Sequence, residues 1–355
     1  MKKHILNLLK LVIIIVVGIV IYLLGILTIN TINDYKPEGG VYELGDFQKY
    51  DQVTKQDTLS LITWNIGYAG LGKDADFFYD GGKMSRPGKT EYNAYWDGIQ
   101  EYIQTFNSVE FLLLQEVDTA SSRSYDNNQH KKIATGLKSH SGLFTKNYDV
   151  SFVPMPVFDP MGRVVSGISF FTSKKPSGST WGAFDGNRSW PLGLFMPDRC
   201  YSINVFDISL GGKLYIINTH NSAFDDGSLR NSQLELLYKL MDSAYREGHY
   251  VIAGGDWNLN PVTYSNEVFI SGDSPFELSG QQVVSGPNSE WQVIFDPEFP
   301  TNRDVSTSYT GGQTPTTIVD FFVCSPNIQV LEIKTMYLGF KYTDHHPIYL
   351  QFCLN

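Results

Sequence analysis

Histidine, cysteine and runs of basic residues are all scarce in this chain. Three cysteines, Cys200, Cys324 and Cys353, occur in 355 residues. They are too few for a disulfide framework and lack metal-ligand spacing, so they read as ordinary buried or half-buried thiols. The seven histidines form no Cys/His cluster of the kind that holds structural zinc. Lys and Arg number 27 against 37 Asp and Glu, a net charge of −10, and no basic run breaks the deficit. That balance speaks against a broad basic surface for nucleic acid. It leaves open a nuclease that grips a few phosphates through a metal. Internal repeats and low-complexity runs are also missing, so a solenoid or a repetitive linker is excluded.

Charge vanishes altogether from residues 11–29, LVIIIVVGIVIYLLGILTI. About 20 such residues span a bilayer core. No Ala-x-Ala cleavage pattern follows, and no cysteine that could take a lipid. The expectation is an uncleaved membrane anchor; the alternative is an unusually long signal peptide. Lys2, Lys3 and Lys10 precede the run, while Asp34, Lys36 and Glu38 follow it. The positive-inside bias then puts residues 1–10 in the cytoplasm and the large C-terminal part outside it. Residues 30–58 are polar, with Pro37, Gly39 and Gly40, and read as a stalk or a loosely docked lead-in. From 59 to 355 the pattern is globular, and a monomeric catalytic domain is expected.

Within that domain, six short apolar runs read as strands: 59–66, 110–116, 213–220, 249–256, 317–323 and 347–353. Two stretches carry a helical stripe. Tyr92, Tyr95, Trp96, Ile99, Ile103 and Phe106 recur at three- and four-residue steps, as do Leu229, Gln233, Leu237 and Met241. Gly248 sits where the second helix would be capped. Both stripes are most simply core faces. Strands interspersed with helices give an α/β or α+β domain with helices packed on sheets.

The polar residues that end these runs are informative. Asn65, Glu116, His220, Asp256 and Asn258 stand at or just past a strand end, Asp344 and His345 precede the last run, and Asp320 sits inside one. Such ends can converge on one pocket. Singly, an Asn or Asp there is usually a turn former. Asp320, flanked by Ile318, Val319, Phe321 and Phe322, is different. A carboxylate buried there is costly unless paired, and a histidine N–H is its natural partner. Glu116, directly after an apolar run, follows the same logic. Three carboxylates and an amide are hard oxygen ligands, suited to Mg²⁺, with Mn²⁺ or Ca²⁺ as alternatives. With two imidazoles added, the set suits attack of water on a phosphate ester.

The segments TWNIG, LLLQEVD, INTHN, GGDWNLNP, IVDFF and YTDHHP occur in the order and approximate spacing of the endonuclease/exonuclease/phosphatase superfamily, which the chain resembles from about residue 59 to its end. That group includes DNase I, exonuclease III, the neutral sphingomyelinases and the inositol polyphosphate 5-phosphatases. The resemblance implies an α+β four-layer sandwich, two mostly antiparallel sheets packed face to face with helices outside. It also implies a divalent-metal site at one rim. Asn65 and Glu116 resemble the metal-site pair, with Glu116 the direct ligand, and Asp344 resembles the metal-side acid. His220 resembles the phosphate-contacting histidine, and Asp256 the residue that orients or deprotonates water. Asn258 resembles the donor to phosphate oxygens, Asp320 the carboxylate that holds the final histidine, and His345 the phosphate-facing imidazole. His346 has no such partner and reads as a turn residue before Pro347.

Two departures matter for substrate. The spacing from Asn65 to Glu116 is long and rich in Gly and acids, either plain surface or a lip over the site. Arg123, Arg163, Arg188 and Arg199 are spaced so that one or two could line the pocket and bind an anionic group; Arg123 and Arg188 are taken as the candidates. Three functions remain in play. The first is a membrane-anchored phosphodiesterase or phosphatase acting on a phospholipid, a lipid-linked phosphate or a small phosphate ester. The second is a surface-anchored nuclease for external DNA or RNA. The third is a non-catalytic binding module on the same scaffold.

Overall fold

Branched and aromatic residues dominate the segments that become strands here, as pleated, half-buried surfaces favour. In the computed structural model, which describes residues 2–209, 211–223, 227–264 and 283–355, they form two sheets and a small ribbon. The first strands are β1 (Gly40–Val41), β2 (Val53–Thr54), β3 (Leu59–Asn65), β4 (Phe111–Asp118), β5 (Ser141–Val153) and β6 (Gly162–Thr172). Next come β7 (Gly178–Ala183), β8 (Cys200–Ser209), β9 (Lys213–His220), β10 (Tyr250–Asp256) and β11 (Gln292–Ile294). The last are β12 (Asn302–Arg303), β13 (Thr316–Thr317), β14 (Asp320–Cys324), β15 (Ile328–Thr335) and β16 (Ile348–Leu354). The helices are α1 (Lys2–Ile32), α2 (Lys89–Gln104), α3 (Gln129–Gly136) and α4 (Ser228–Arg246).

One sheet runs β1-β7-β8-β9-β10-β14-β11, with β2 paired to the end of β8; the other runs β15-β16-β3-β4-β6-β5. Both are mixed: β9 and β10 are parallel, as are β3 and β4, among mostly antiparallel neighbours. The sheets face each other across Leu59, Leu61, Phe111 and Leu113 on one side and Phe206, Ile216, Ile252 and Phe322 on the other. Successive residues of β3 point to opposite faces, so Ile62 and Trp64 turn outward to meet Trp96, Ile99 and Ile103 of α2. On the far side, Leu234, Leu237 and Met241 of α4 cover Ile217, Val251 and Ala253. The result is the expected four-layer α+β sandwich. Every residue of β3 and of β10 is buried. Covered on both faces, such strands need no polar alternation, which is why they stand out as continuous apolar runs.

Two expectations need adjustment. The strand expected at 317–323 is interrupted, and Asp320 opens β14 instead of lying inside a strand. Residues 40–57, expected as a loose lead-in, join the domain: β1 pairs with β7, β2 pairs with β8, and Phe47 and Val53 enter the core between the sheets.

Most of α1 stands in the open, and it is long and apolar enough to cross a membrane. Its last turns, however, are fastened to the edge strand β5. Asn30 Nδ2 donates to the Phe152 carbonyl at 2.9 Å, and the Phe152 amide donates back to Asn30 Oδ1 at 3.2 Å. A side-chain amide thus pairs with an edge peptide as a neighbouring strand would. Just beyond, Tyr35 donates to the Lys146 carbonyl and Lys36 pairs with Asp198 at 3.2 Å.

Candidate active site

The site is built by strand register. In the parallel pair β9–β10, His220 lies beside Asp256; in the antiparallel pair β10–β14, Asp256 lies beside Asp320. Three polar ends therefore stand in one row. Gly255 makes the approach feasible: its φ is +150°, and a Cβ there would overlap the Thr219 carbonyl oxygen. On the other sheet, β4 breaks register between Leu114 and Val117, and Glu116 takes a left-handed φ of +54°. A bulge of this kind re-aims a side chain, here toward the rim. Asn65 joins the two sheets, donating to Asp256 Oδ2 at 2.9 Å and to Glu116 Oε1 at 3.4 Å. Trp64 Nε1 donates to the His345 carbonyl at 3.1 Å and so holds the final loop against β3.

Around Asp256 the groups are close. His220 Nε2 stands 3.4 Å from its Oδ2, and His345 Nε2 stands 3.7 Å from the same atom. Its Oδ1 accepts from the Asn258 amide at 2.9 Å. Asn258 itself has a left-handed φ of +50°, and its side chain donates to the Asn221 carbonyl. His345 Nδ1 lies 2.7 Å from Asp320 Oδ2, and Asn302 lies 2.9 Å from its Nε2. His346 turns the other way. Its ring is fully buried between Tyr337 and Phe340, with Nδ1 2.9 Å from the Pro300 carbonyl.

The two site histidines differ electrostatically. Burial alone would lower both. At His345 the carboxylates of Asp320, Asp344 and Asp256 outweigh burial and raise its pKa well above the ordinary value. At His220 burial is reinforced by the charges of Arg199 and His345, so its pKa falls well below it. The two imidazoles are thus shifted in opposite directions. Asp320 is pushed up to about 6 by burial, against the pull of His345.

A divalent cation fits two sets of residues unequally. Ligand atoms of Asp256, Asp320 and His345 lie within 4.8 Å of one another, but His345 and Asp320 are already bonded together. Glu116 and Asp344 have fewer donors. Glu116 receives a long bond from Asn65 at 3.4 Å, and Asp344 one from Thr343 at 3.1 Å. Burial raises the pKa of both, and the charge of Asp344 raises that of Glu116 further. The buried Asp344 and the half-buried Glu116 are two acids that suit a hard cation. Asn65, expected at the metal, stands one layer behind, with Oδ1 accepting from the Gly67 amide at 2.9 Å.

These groups open on a cavity of about 850 Å³. The family model described as Endonuclease/Exonuclease/phosphatase family matches residues 62–345, most of the chain. The chain belongs to this family. It is an enzyme that hydrolyses phosphate ester bonds, and metal dependence is typical of its relatives. No curated protein matches the sequence. Among solved structures, an endonuclease/exonuclease/phosphatase from Beutenbergia cavernae is similar at 15% identity, with a TM-score of 0.57, covering 84% of this chain and 72% of that one. ANGEL2, a 2',3'-cyclic phosphatase, is similar at 14% identity and TM-score 0.53, covering 85% and 96%. D. rerio TDP2, bound to a single-stranded DNA product, is similar at 19% identity and TM-score 0.51, covering 84% and 99%. At these identities the likeness is one of fold.

Both candidate arginines, Arg123 and Arg188, stand at the cavity. Arg123 lines the cavity, but its fork is filled by Asp118 through bonds of 3.0 and 2.9 Å, and it packs on the Tyr68 ring at 3.7 Å. It braces the wall and does not offer its fork to a substrate. Arg188 also lines the cavity, as does Arg199, whereas Arg163 is exposed elsewhere. Arg199 lies among Glu116 and Asp256, whose charges oppose the lowering of its pKa by burial. The segment between Asn65 and Glu116 supplies Leu71, Phe77, Tyr79 and Asp80 to the cavity wall. Burial, with the charges of Asp344, Asp304 and Glu116, pushes Asp80 up to about 7. That segment is pinned by Arg303, which donates to the carbonyls of Leu71, Gly72 and Ala75 at 2.8–3.1 Å. Sequence reading missed both residues. Asp80 had a signal, the Gly- and acid-rich spacing in this family member; Arg303 had none.

Proposed function

We propose that this protein is a membrane-anchored, divalent-metal-dependent phosphoesterase. Its substrate is a phospholipid, a lipid-linked phosphate or a small phosphate ester outside the cytoplasm. The observation that carries the reading is the convergence at one cavity of Asp256, the His345–Asp320 pair and the acids Glu116 and Asp344. Glu116 and Asp344 would hold the cation, and Asn65 orients Glu116. The bound cation, Mg²⁺ or Mn²⁺, would supply Lewis-acid stabilisation of the phosphoryl oxygens. Asp256, held by Asn65 and the Asn258 amide, aligns the attacking water and takes its proton. His345, charged and braced by Asp320, donates to a phosphoryl oxygen as negative charge develops. His220 and Asn258 are placed to donate to the others, and Arg199 to neutralise a further phosphate or head-group oxygen. The apolar run 11–29 of α1 and the lysines of its first turns, Lys2, Lys3 and Lys10, support anchoring with the N-terminus in the cytoplasm.

A second reading, a surface nuclease, draws on TDP2 with its DNA product. The net charge of −10 favours the first. The test is hydrolysis of bis-p-nitrophenyl phosphate, phospholipids, sugar phosphates and single- and double-stranded DNA by the purified protein. Hydrolysis is expected with Mg²⁺ or Mn²⁺ and not with EDTA. Asp256→Asn and His345→Ala should each lower turnover by about 10²-fold or more. Activity indifferent to EDTA and to both substitutions would end the proposal; DNA as the preferred substrate would favour the nuclease.

A further inference from the structure

Five large apolar side chains outside α1 are exposed by 60% or more among the described residues: Val41, Val157, Phe158, Trp190 and Leu192. Four of these five lie on two loops, 154–161 between β5 and β6 and 184–199 between β7 and β8. Phe158 is fully exposed. Both loops adjoin the end of α1. The first begins directly after β5, where Asn30 clasps Phe152, so Phe158 lies within about 20 Å of chain from that clasp. The second touches α1 itself, through Trp190 Nε1 donating to Thr31 Oγ1 at 3.2 Å.

Burial along α1 shows how far the domain reaches. Ile26 is buried, and Gly25 and Leu27 are half-buried, whereas the helix before them is exposed. Ile26 lies one turn before Asn30, about 6 Å back along the axis and within the apolar run. Domain atoms therefore flank the very stretch that the anchor reading puts in the bilayer. A Trp beside the helix end is typical of a membrane–water interface. Solitary exposed apolar residues need no explanation, but a clustered set does.

We propose that loops 154–161 and 184–199 insert into the outer surface of the bilayer that holds α1, with Phe158, Val157, Trp190 and Leu192 as the inserted groups. The inference rests on the anchor reading. It has a consequence for the site, because loop 184–199 also supplies Arg188, Met196 and Arg199 to the cavity wall. The cavity rim would then stand at head-group level, with Arg199 facing a lipid phosphate.

The test uses the full-length protein in phosphatidylcholine–phosphatidylglycerol vesicles carrying acyl-chain nitroxide lipids. Single cysteines bearing an environment-sensitive fluorophore replace Phe158, Leu192, Val16 in α1 or Leu331 on β15, in a Cys353→Ser background; Cys200 and Cys324 are buried. Probes at 158 and 192 are expected to shift to the blue and lose most of their emission to the quencher, as the probe at 16 does, while the probe at 331 keeps its emission. Quenching at 16 without quenching at 158 and 192 overturns the inference and leaves the anchor intact. No quenching at 16 removes the anchor reading, and the inference with it.

Discussion

His345 and His346 are neighbours in sequence and opposites in role. The first is held by Asp320 at the cavity; the second is sealed in an aromatic pocket against Pro300. Burial pushes the His346 imidazole down to about 3. An unfolded histidine takes its proton near pH 6.5, so between 6.5 and 3 the unfolded chain binds a proton that the folded one refuses. The stability tied to this residue is present above pH 6.5 and is lost as pH falls toward 3. His346→Gln, which keeps a donor and an acceptor, removes that dependence. In urea titrations the wild type should lose stability relative to His346→Gln by up to about 1.4 kcal/mol per pH unit in this window. The comparison is between proteins because buried acids such as Asp80 and Asp320 act in the opposite sense in both. At this scale much was legible: a carboxylate inside an apolar run needs a partner such as a histidine, and the family resemblance made that histidine His345. Arg123 was not, because nothing in its local sequence says that Asp118, five residues earlier, fills its fork.

Strands with continuous apolar runs announced themselves, and β3, β4, β9, β10 and β16 fall close to the expected segments. Strands β5, β6, β7, β8 and β15 did not. In β5 and β8 buried and half-buried positions mostly alternate, and such patterns are weaker than an unbroken apolar run; β6 is buried almost throughout, but Ser166, Gly167 and Ser169 break its apolar run. The wall segment between β3 and α2 has only two short 3-10 turns, Gly67–Ala69 and Phe78–Asp80, and one side chain ties its 71–75 stretch at three carbonyls. Arg303, almost fully buried, donates to five carbonyls, those of Asp304 and Thr307 included. Arg303→Met keeps much of the bulk and deletes every donor. A loss of about 3 kcal/mol or more is expected by chemical denaturation, since buried acceptors are left unpaired. Hydrogen exchange should quicken across 71–75 before it does in β3. Unchanged exchange there would mean the wall stands without the arginine.

At the scale of the whole molecule, two sheets bring together residues from Asn65 to His345, and no local pattern could have stated that proximity. What made it readable was order, six short segments in the succession typical of one family. The anchor belongs to this scale too. With basic residues before the apolar run of α1 and the domain after it, external protease on intact cells should digest the domain and spare a tag placed before Lys2. The α1 segment should resist alkaline extraction. A domain released into the medium would instead mark the apolar run as a cleaved leader.

In the proposed anchored form, the clasp between Asn30 and Phe152 has a kinetic consequence. A domain on a flexible leash samples a volume, and its substrate is counted per litre. A domain fastened at the foot of its helix keeps one height above the membrane and moves with it in two dimensions. For such an enzyme, turnover on a lipid phosphate would follow the mole fraction of that lipid in the surface. Diluting the vesicles would change little, and diluting the substrate with inert lipid would change much.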